Sequence, residues 1–144
     1  MSIPSLERMK TVNSIVFALI MAFVLSSCAT KMPFTTSTIA PAATGAVKVK
    51  KDKNENFSIS VDVFNLAAAK DLTPSRNAYV VWMEAGREPT KNLGQISPST
   101  GLFSKTLKAS LNTTSITKPD RVFITAEDRV DIRYPNGEVV LTTR

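Results

Sequence analysis

At 144 residues the chain has the length of a single domain. It contains one cysteine and no histidine, which excludes an internal disulfide, a histidine-based catalytic triad and an ordinary histidine-ligated zinc site. The net charge of +6 is mild and lacks a dense basic stripe with interleaved aromatics, so no nucleic-acid partner is expected.

Residues 1–27 read as an export signal. Arg8 and Lys10 supply positive charge, residues 15–25 are wholly apolar, and Ser26 and Ser27 are small. A secretory signal needs these three regions in this order. Eleven apolar residues are too few for a stable membrane span of about 20. Met9 offers a second translation start besides Met1, with Lys10 as the charge of a more compact signal.

The tetrapeptide Leu25-Ser26-Ser27-Cys28 resembles the lipobox of bacterial lipoproteins, in which an aliphatic residue and two small ones precede a cysteine. The resemblance implies that the Cys28 thiol receives a diacylglycerol and that the chain is cut between Ser27 and Cys28. The new amino group is then often acylated too. One acyl chain anchors marginally and two or three anchor stably. Removing the segment before Cys28 leaves 16 basic and 11 acidic residues. In the sorting rules of Gram-negative lipoproteins, Asp after the cysteine retains the protein in the inner membrane. Ala29 stands there, which implies the periplasmic face of the outer membrane.

Residues 28–45 are rich in Thr, Ser, Ala and Pro, with Pro33 and Pro41 barring a helix. They are expected to be a disordered spacer between the lipid and a domain over residues 46–144.

From Ala46 the pattern has period two. Val47 and Val49 alternate with Lys48 and Lys50, and then Phe57, Ile59, Val61 and Val63 alternate with Ser58, Ser60 and Asp62. The spacing predicts a hairpin. Its turn begins Asp52-x-Asn54-x-Asn56, the opening of a calcium loop. Phe57 occupies the place of the required glycine and Val63 that of the closing glutamate, so a turn is expected and no metal. The lysines here, Lys48, Lys50, Lys51 and Lys53, suit an edge strand and its turn.

Residues 65–70 suggest one helical turn, and residues 71–75 a loop. Residues 78–85, with Tyr79, Val80, Val81, Trp82 and Met83, are apolar on both faces and predict a central strand covered twice. Residues 92–97 predict a short strand, and residues 102–110 an edge strand. Residues 121–126 predict another strand, with Val122 and Ile124 on one face and Phe123 on the other. Asn136-Gly137 separates residues 130–134 from 138–142, which is a strong hairpin signal. Seven or eight strands at intervals of about 8–12 residues predict an all-β, antiparallel, immunoglobulin-like sandwich.

The run Tyr79-Val80-Val81-Trp82-Met83-Glu84, followed by Gly86 and Leu93-Gly94-Gln95-Ile96, resembles the extracytoplasmic domain of anti-sigma-K-type factors, as does Phe123-Ile124-Thr125-Ala126-Glu127. The resemblance implies a β-sandwich outside the membrane. It does not extend to sigma-factor binding, because the 27 residues before Cys28 are a signal rather than a cytoplasmic region and membrane helix. The chain is also similar to small lipoproteins of no assigned activity.

Site candidates are few. Glu127, Asp128 and Asp131 cluster with Arg129 and Arg133, and paired carboxylates serve acid–base chemistry or hard cations. Charged residues between two strands are equally the ordinary content of a turn. Trp82 and Tyr79 offer an aromatic platform for a ligand, against which stands the habit of a central-strand Trp to face a core. No catalytic residue, metal or cofactor is expected. The expected function is a non-catalytic binding or structural module of the cell envelope, held by membrane lipid through Cys28 and facing an envelope protein or glycan. The alternative is a carboxylate-dependent hydrolase or a carbohydrate-binding domain, and a hydrolase would need two acids flanking a cleft.

Overall fold

The computed structural model describes residues 29–144. The expected signal and Cys28 lie outside the described residues. Nine strands follow in order: β1 (Thr30–Pro33), β2 (Thr44–Lys51), β3 (Phe57–Phe64), β4 (Ala78–Glu84), β5 (Lys91–Ile96), β6 (Ser99–Thr100), β7 (Leu107–Ser115), β8 (Arg121–Glu127) and β9 (Glu138–Thr142). They form two antiparallel sheets, one of order β1-β2-β3-β7-β6 and one of order β5-β4-β8-β9. The orders β2-β3-β7-β6 and β5-β4-β8-β9 are those of an immunoglobulin-like sandwich, as the strand spacing predicts.

Alternation places the core. Val47, Val49, Ile59, Val61, Val63 and Ala109 point inward from the five-stranded sheet. They meet Tyr79, Val81, Met83, Val122, Ile124 and Ala126 from the other. A register shift at Ile124/Thr125 leaves Val140 as an extra residue of β9, and both Val140 and Leu141 are buried in this core. A second shift, at Val81/Trp82, leaves Leu93 extra in β5, next to Gly94 at φ +133°. The Tyr79 hydroxyl donates to the Ala67 carbonyl at 2.9 Å. Burial, reinforced by the nearby Asp71 charge, pushes this phenol up to about 12.

The hairpin, the twice-covered strand β4 and strand β8 lie as expected. The turn of the hairpin is built by Asp52, whose Oδ1 accepts from the Asn54 and Asn56 backbone N–H groups at 2.7 and 2.9 Å. The short helical element is a 3₁₀ turn over Ala69–Asp71.

Three expectations are corrected. The first is the spacer. Residues 29–45 are folded: β1 pairs with β2 from Thr30↔Val49 to Pro33↔Ala46. Phe34 then bridges to Thr143, and the Thr35 N–H donates to the Thr142 carbonyl at 2.8 Å. Ser37 Oγ accepts from the Ile39 and Ala40 backbone N–H groups, turning the chain so that Ala40 and Ala43 enter the core. The composition is that of a tether, but its small residues fit beneath the sheets and Met32, Phe34 and Ile39 pack against the core.

The second concerns residues 102–110. Leu102 and Phe103 stand almost wholly in solvent in a loop, and the strand begins at Leu107 and runs to Ser115 between β3 and β6. The third concerns Asn136-Gly137. Residues 130–134 form no strand, and β9 is joined to β8 by a ten-residue loop over 128–137 that folds back on the sheet.

The whole of 29–144 is therefore the folding unit. A fragment of residues 46–144 loses β1 and the Phe34 and Ile39 contacts, and bares the edge of β2. It should be less stable than 29–144 by on the order of 4 kcal/mol. Equal urea midpoints for the two fragments would count against this. Alkaline titration provides a second check. Between pH 10 and about 12 the unfolded chain loses the Tyr79 proton while the folded chain keeps it, so stability falls as pH rises through that window. Phenolate absorbance should show one tyrosine ionising near 12, and Tyr79→Phe should remove that step.

Candidate functional site

The expected site residues Trp82, Glu127, Asp128 and Asp131 all belong to the outer side of the four-stranded sheet and the loop over 128–137. Alternation on β4 explains the division. Tyr79, Val81 and Met83 face the other sheet, and Val80 and Trp82 face away from it. On β8, Phe123 and Thr125 face outward with them, opposite Trp82 and Val80 in the ladder. Val80, Trp82 and Phe123 form a small second core, capped by Ile132 from the loop.

Trp82 is 0% exposed and presents no face to a ligand. Its indole is enclosed between sheet and loop rather than between the two sheets. Burying an indole requires a partner for its N–H. Nε1–H donates to Thr125 Oγ1 at 2.8 Å, and the Thr125 hydroxyl donates to Glu127 Oε1 at 2.6 Å. The same oxygen accepts from the Asn136 backbone N–H at 3.0 Å. Glu127 is only 3% exposed. The carboxylate thus ends a chain of donors from the indole and fixes the return of the loop. Asn136 gives its N–H to Glu127, and Pro135 before it has no N–H to give to a hairpin partner. Gly137 passes so close to the Ala126 carbonyl that a Cβ there would collide with it.

Asp128 and Asp131 serve the same loop. Asp128 pairs with Arg76 at 2.9 Å, and its carbonyl accepts from Asn77 Nδ2 at 3.1 Å. Asp131 takes both arms of Arg129, at 3.0 and 2.8 Å. The Arg129 hydrogen bonds and charge hold the Asp131 carboxyl below its usual range. Asn92 on β5 donates to the Val130 and Ile132 carbonyls at 3.0 and 3.1 Å, closing the loop from the other side.

A cavity of about 100 Å³ lies under the loop, lined in part by Arg76, Glu127, Asp128, Arg129 and Asn136. Asp131 lies outside it. The three acids, close in sequence, are committed to three different partners. Among the described residues no group of three or more His, Cys, Asp or Glu side chains is placed to hold a metal ion. Chemically the arrangement is a buried polar network that pins a loop. Sequence reasoning missed Thr125 and Asn92, the two polar residues that make it work. The signal for Thr125 was its place two residues before Glu127 on one strand face.

Removing Trp82 opens a cavity and takes away the indole N–H that Thr125 Oγ1 accepts, so Trp82→Ala should cost about 3–5 kcal/mol. Its emission should be blue-shifted and resist iodide quenching in the folded state. Red-shifted, readily quenched emission would contradict the burial. Glu127→Ala leaves the Thr125 hydroxyl and Asn136 N–H unpaired and should cost about 3 kcal/mol, read by urea denaturation. Glu127→Gln should cost less, because an amide oxygen still accepts.

Compared with protein-family models, with curated proteins and with solved structures, the chain matches none of them.

Proposed function

We propose that the chain is a bacterial lipoprotein: an exported protein acylated on Cys28, whose β-sandwich is a non-catalytic binding or structural module of the cell envelope. What carries the reading is a junction. The apolar run over residues 15–25 ends on Leu25-Ser26-Ser27-Cys28, and the first strand among the described residues starts at Thr30. A cut before Cys28 therefore removes none of the nine strands and leaves the lipid two residues from the first of them.

Five of the sandwich's acids are already engaged, which supports a module that binds or braces rather than one that cleaves. Carboxylate-based hydrolysis needs two acids free to face a substrate across a cleft. Glu127 is enclosed, Asp128 pairs with Arg76, and Asp131 pairs with Arg129. Glu84 pairs with Arg121, and Asp62 pairs with Lys108. In this reading the partner is an envelope protein or glycan, and the anchor resides on the periplasmic face of an outer membrane.

The test is labelling with palmitate in cells. Wild type should incorporate it and run as the cut form. Cys28→Ala should lose the label and accumulate as precursor. Undiminished labelling of Cys28→Ala would overturn the reading. Retention of the wild-type label after complete removal of the precursor segment would support cleavage before Cys28 rather than after it.

A further inference from the structure

The outer face of the five-stranded sheet carries lysines that have no ion-pair partner among the described residues. Register places Lys31 opposite Lys48, with Ser60 and Asn112 continuing the row across β3 and β7. The next outward row holds Lys50, Ser58 and Thr114. Like charges directly opposite one another across a ladder destabilise it. The face has one carboxylate, Asp62, which pairs with Lys108 at 3.0 Å and accepts from Ser110 Oγ at 2.9 Å. Burial disfavours its ionised form, yet the Lys108 and Ser110 hydrogen bonds and the charges of Lys108 and Lys48 outweigh it and keep this carboxyl below its ordinary range. Lys31, Lys48 and Lys50 are exposed and have no ion-pair partner among the described residues. At the end of β2 Lys51 is paired with Glu55 of the adjoining turn at 2.9 Å, while Lys53 in that turn has no such partner among the described residues.

These lysines are gathered at one end of the face. Thr30 sits opposite Val49, between the Lys48 and Lys50 positions, so the chain leads toward Cys28 from the middle of the cluster. Two residues of extended chain span at most about 7 Å. A lipid on Cys28 would therefore hold this corner of the sheet at the headgroup layer. The far end of the same strands, with Phe64 and Lys108, lies several residues away along the ladder.

We propose that this face docks on anionic phospholipid headgroups and is a second membrane attachment beside the acyl chain. Its orientation rests on the lipid-anchor reading above. A basic patch combined with an acyl chain is a sufficient pair of signals for stable attachment. Each lysine near an anionic surface strengthens binding roughly five-fold, an effect that falls off within a Debye length. The chemistry favours a bilayer over single-stranded nucleic acid, which is held by stacking on aromatics as well as by charge. The aromatic at this face, Phe64, stands at its far end with Lys108 Nζ 5.6 Å from the ring centroid. A shallow cavity of about 360 Å³ runs from Lys31 and Lys48 to Phe64 and is also lined by Asp62, so its carboxylate wall makes it no phosphate site and the attraction rests on the exposed lysines.

The experiment uses residues 29–144, which hold all nine strands and no cysteine, so that the protein domain is measured without the lipid. The fragment is sedimented with phosphatidylcholine vesicles that contain or lack phosphatidylglycerol. It should bind only the anionic vesicles, and raised salt should release it. The combined substitution Lys31→Gln, Lys48→Gln, Lys50→Gln should weaken binding about 100-fold. The combination Lys70→Gln, Lys105→Gln, away from the patch, should leave it within a few-fold, and both variants should melt as wild type does. Equal binding to both vesicle types, no binding to either, or undiminished binding by the triple variant would overturn the proposal. Because the fragment lacks Cys28, such a failure leaves the lipid-anchor reading standing. A failed palmitate experiment with intact vesicle binding would instead remove the anchor and keep the patch.

Discussion

A strand that is apolar on both faces has to be covered twice. That is the constraint imposed by β4, whose residues from Ala78 to Met83 are all buried. Tyr79, Val81 and Met83 are covered by the five-stranded sheet, which accounts for the sandwich. Val80 and Trp82 are left on the far side, where a sandwich ordinarily meets water. Here a loop of ten residues lies across them and brings Ile132. Burial of one indole is enough to require the rest: an acceptor for its N–H, a second acceptor for the threonine hydroxyl, and a fixed path for the chain that returns to β9. Thr125, Glu127 and Asn136 meet those demands in turn.

This arrangement also bears on how a sandwich without a disulfide is held together. Immunoglobulin-type domains often cross-link their sheets by a cystine with a tryptophan packed against it. In this chain the tryptophan has turned to the opposite side of its sheet, and the space between the sheets is filled by aliphatic side chains and Tyr79. The acids near Trp82 look like a catalytic cluster when only their spacing is known. In three dimensions they are fasteners: Glu127 from beneath, Asp128 to Arg76, and Asp131 to Arg129 within the loop itself.

The parts of the fold that were legible in the sequence are those whose alternation is strong and whose partners lie nearby. Ile59, Val61 and Val63 mark β3 unaided, and the two-faced apolar run marks β4 as central. The failures have different physical sources. Residues 29–45 are poor in large apolar groups, so composition argues for a tether, but Ala40 and Ala43 are buried because they are small. Met32 and Phe34, two apart, carried the available strand signal. Leu102 and Phe103 drew the expected strand too early, because exposed apolar residues in a loop mimic a strand's apolar face. Asn136-Gly137 has the chemistry of a hairpin turn, but Pro135 before it has no N–H to give to a ladder, and the Asn136 N–H goes to a buried carboxylate nine residues upstream. Of the site, the position of Glu127 was legible but its use was not, since that depends on which way Trp82 faces.

The crossing of Phe34 and Thr35 from the first sheet to β9 has a consequence for crowding. Open sheet edges are templates on which other chains add strands. Here each edge is spoiled in its own way. β1 is four residues long and carries Lys31 and Pro33, and β6 has only two residues. β5 is bulged at Leu93 next to Gly94, and the crossing segment covers the C-terminal end of β9 at Thr142 and Thr143. Such a domain can lie beside its own copies without zipping into a shared sheet. Residues 29–45 supply that cover, although their composition is that of a tether.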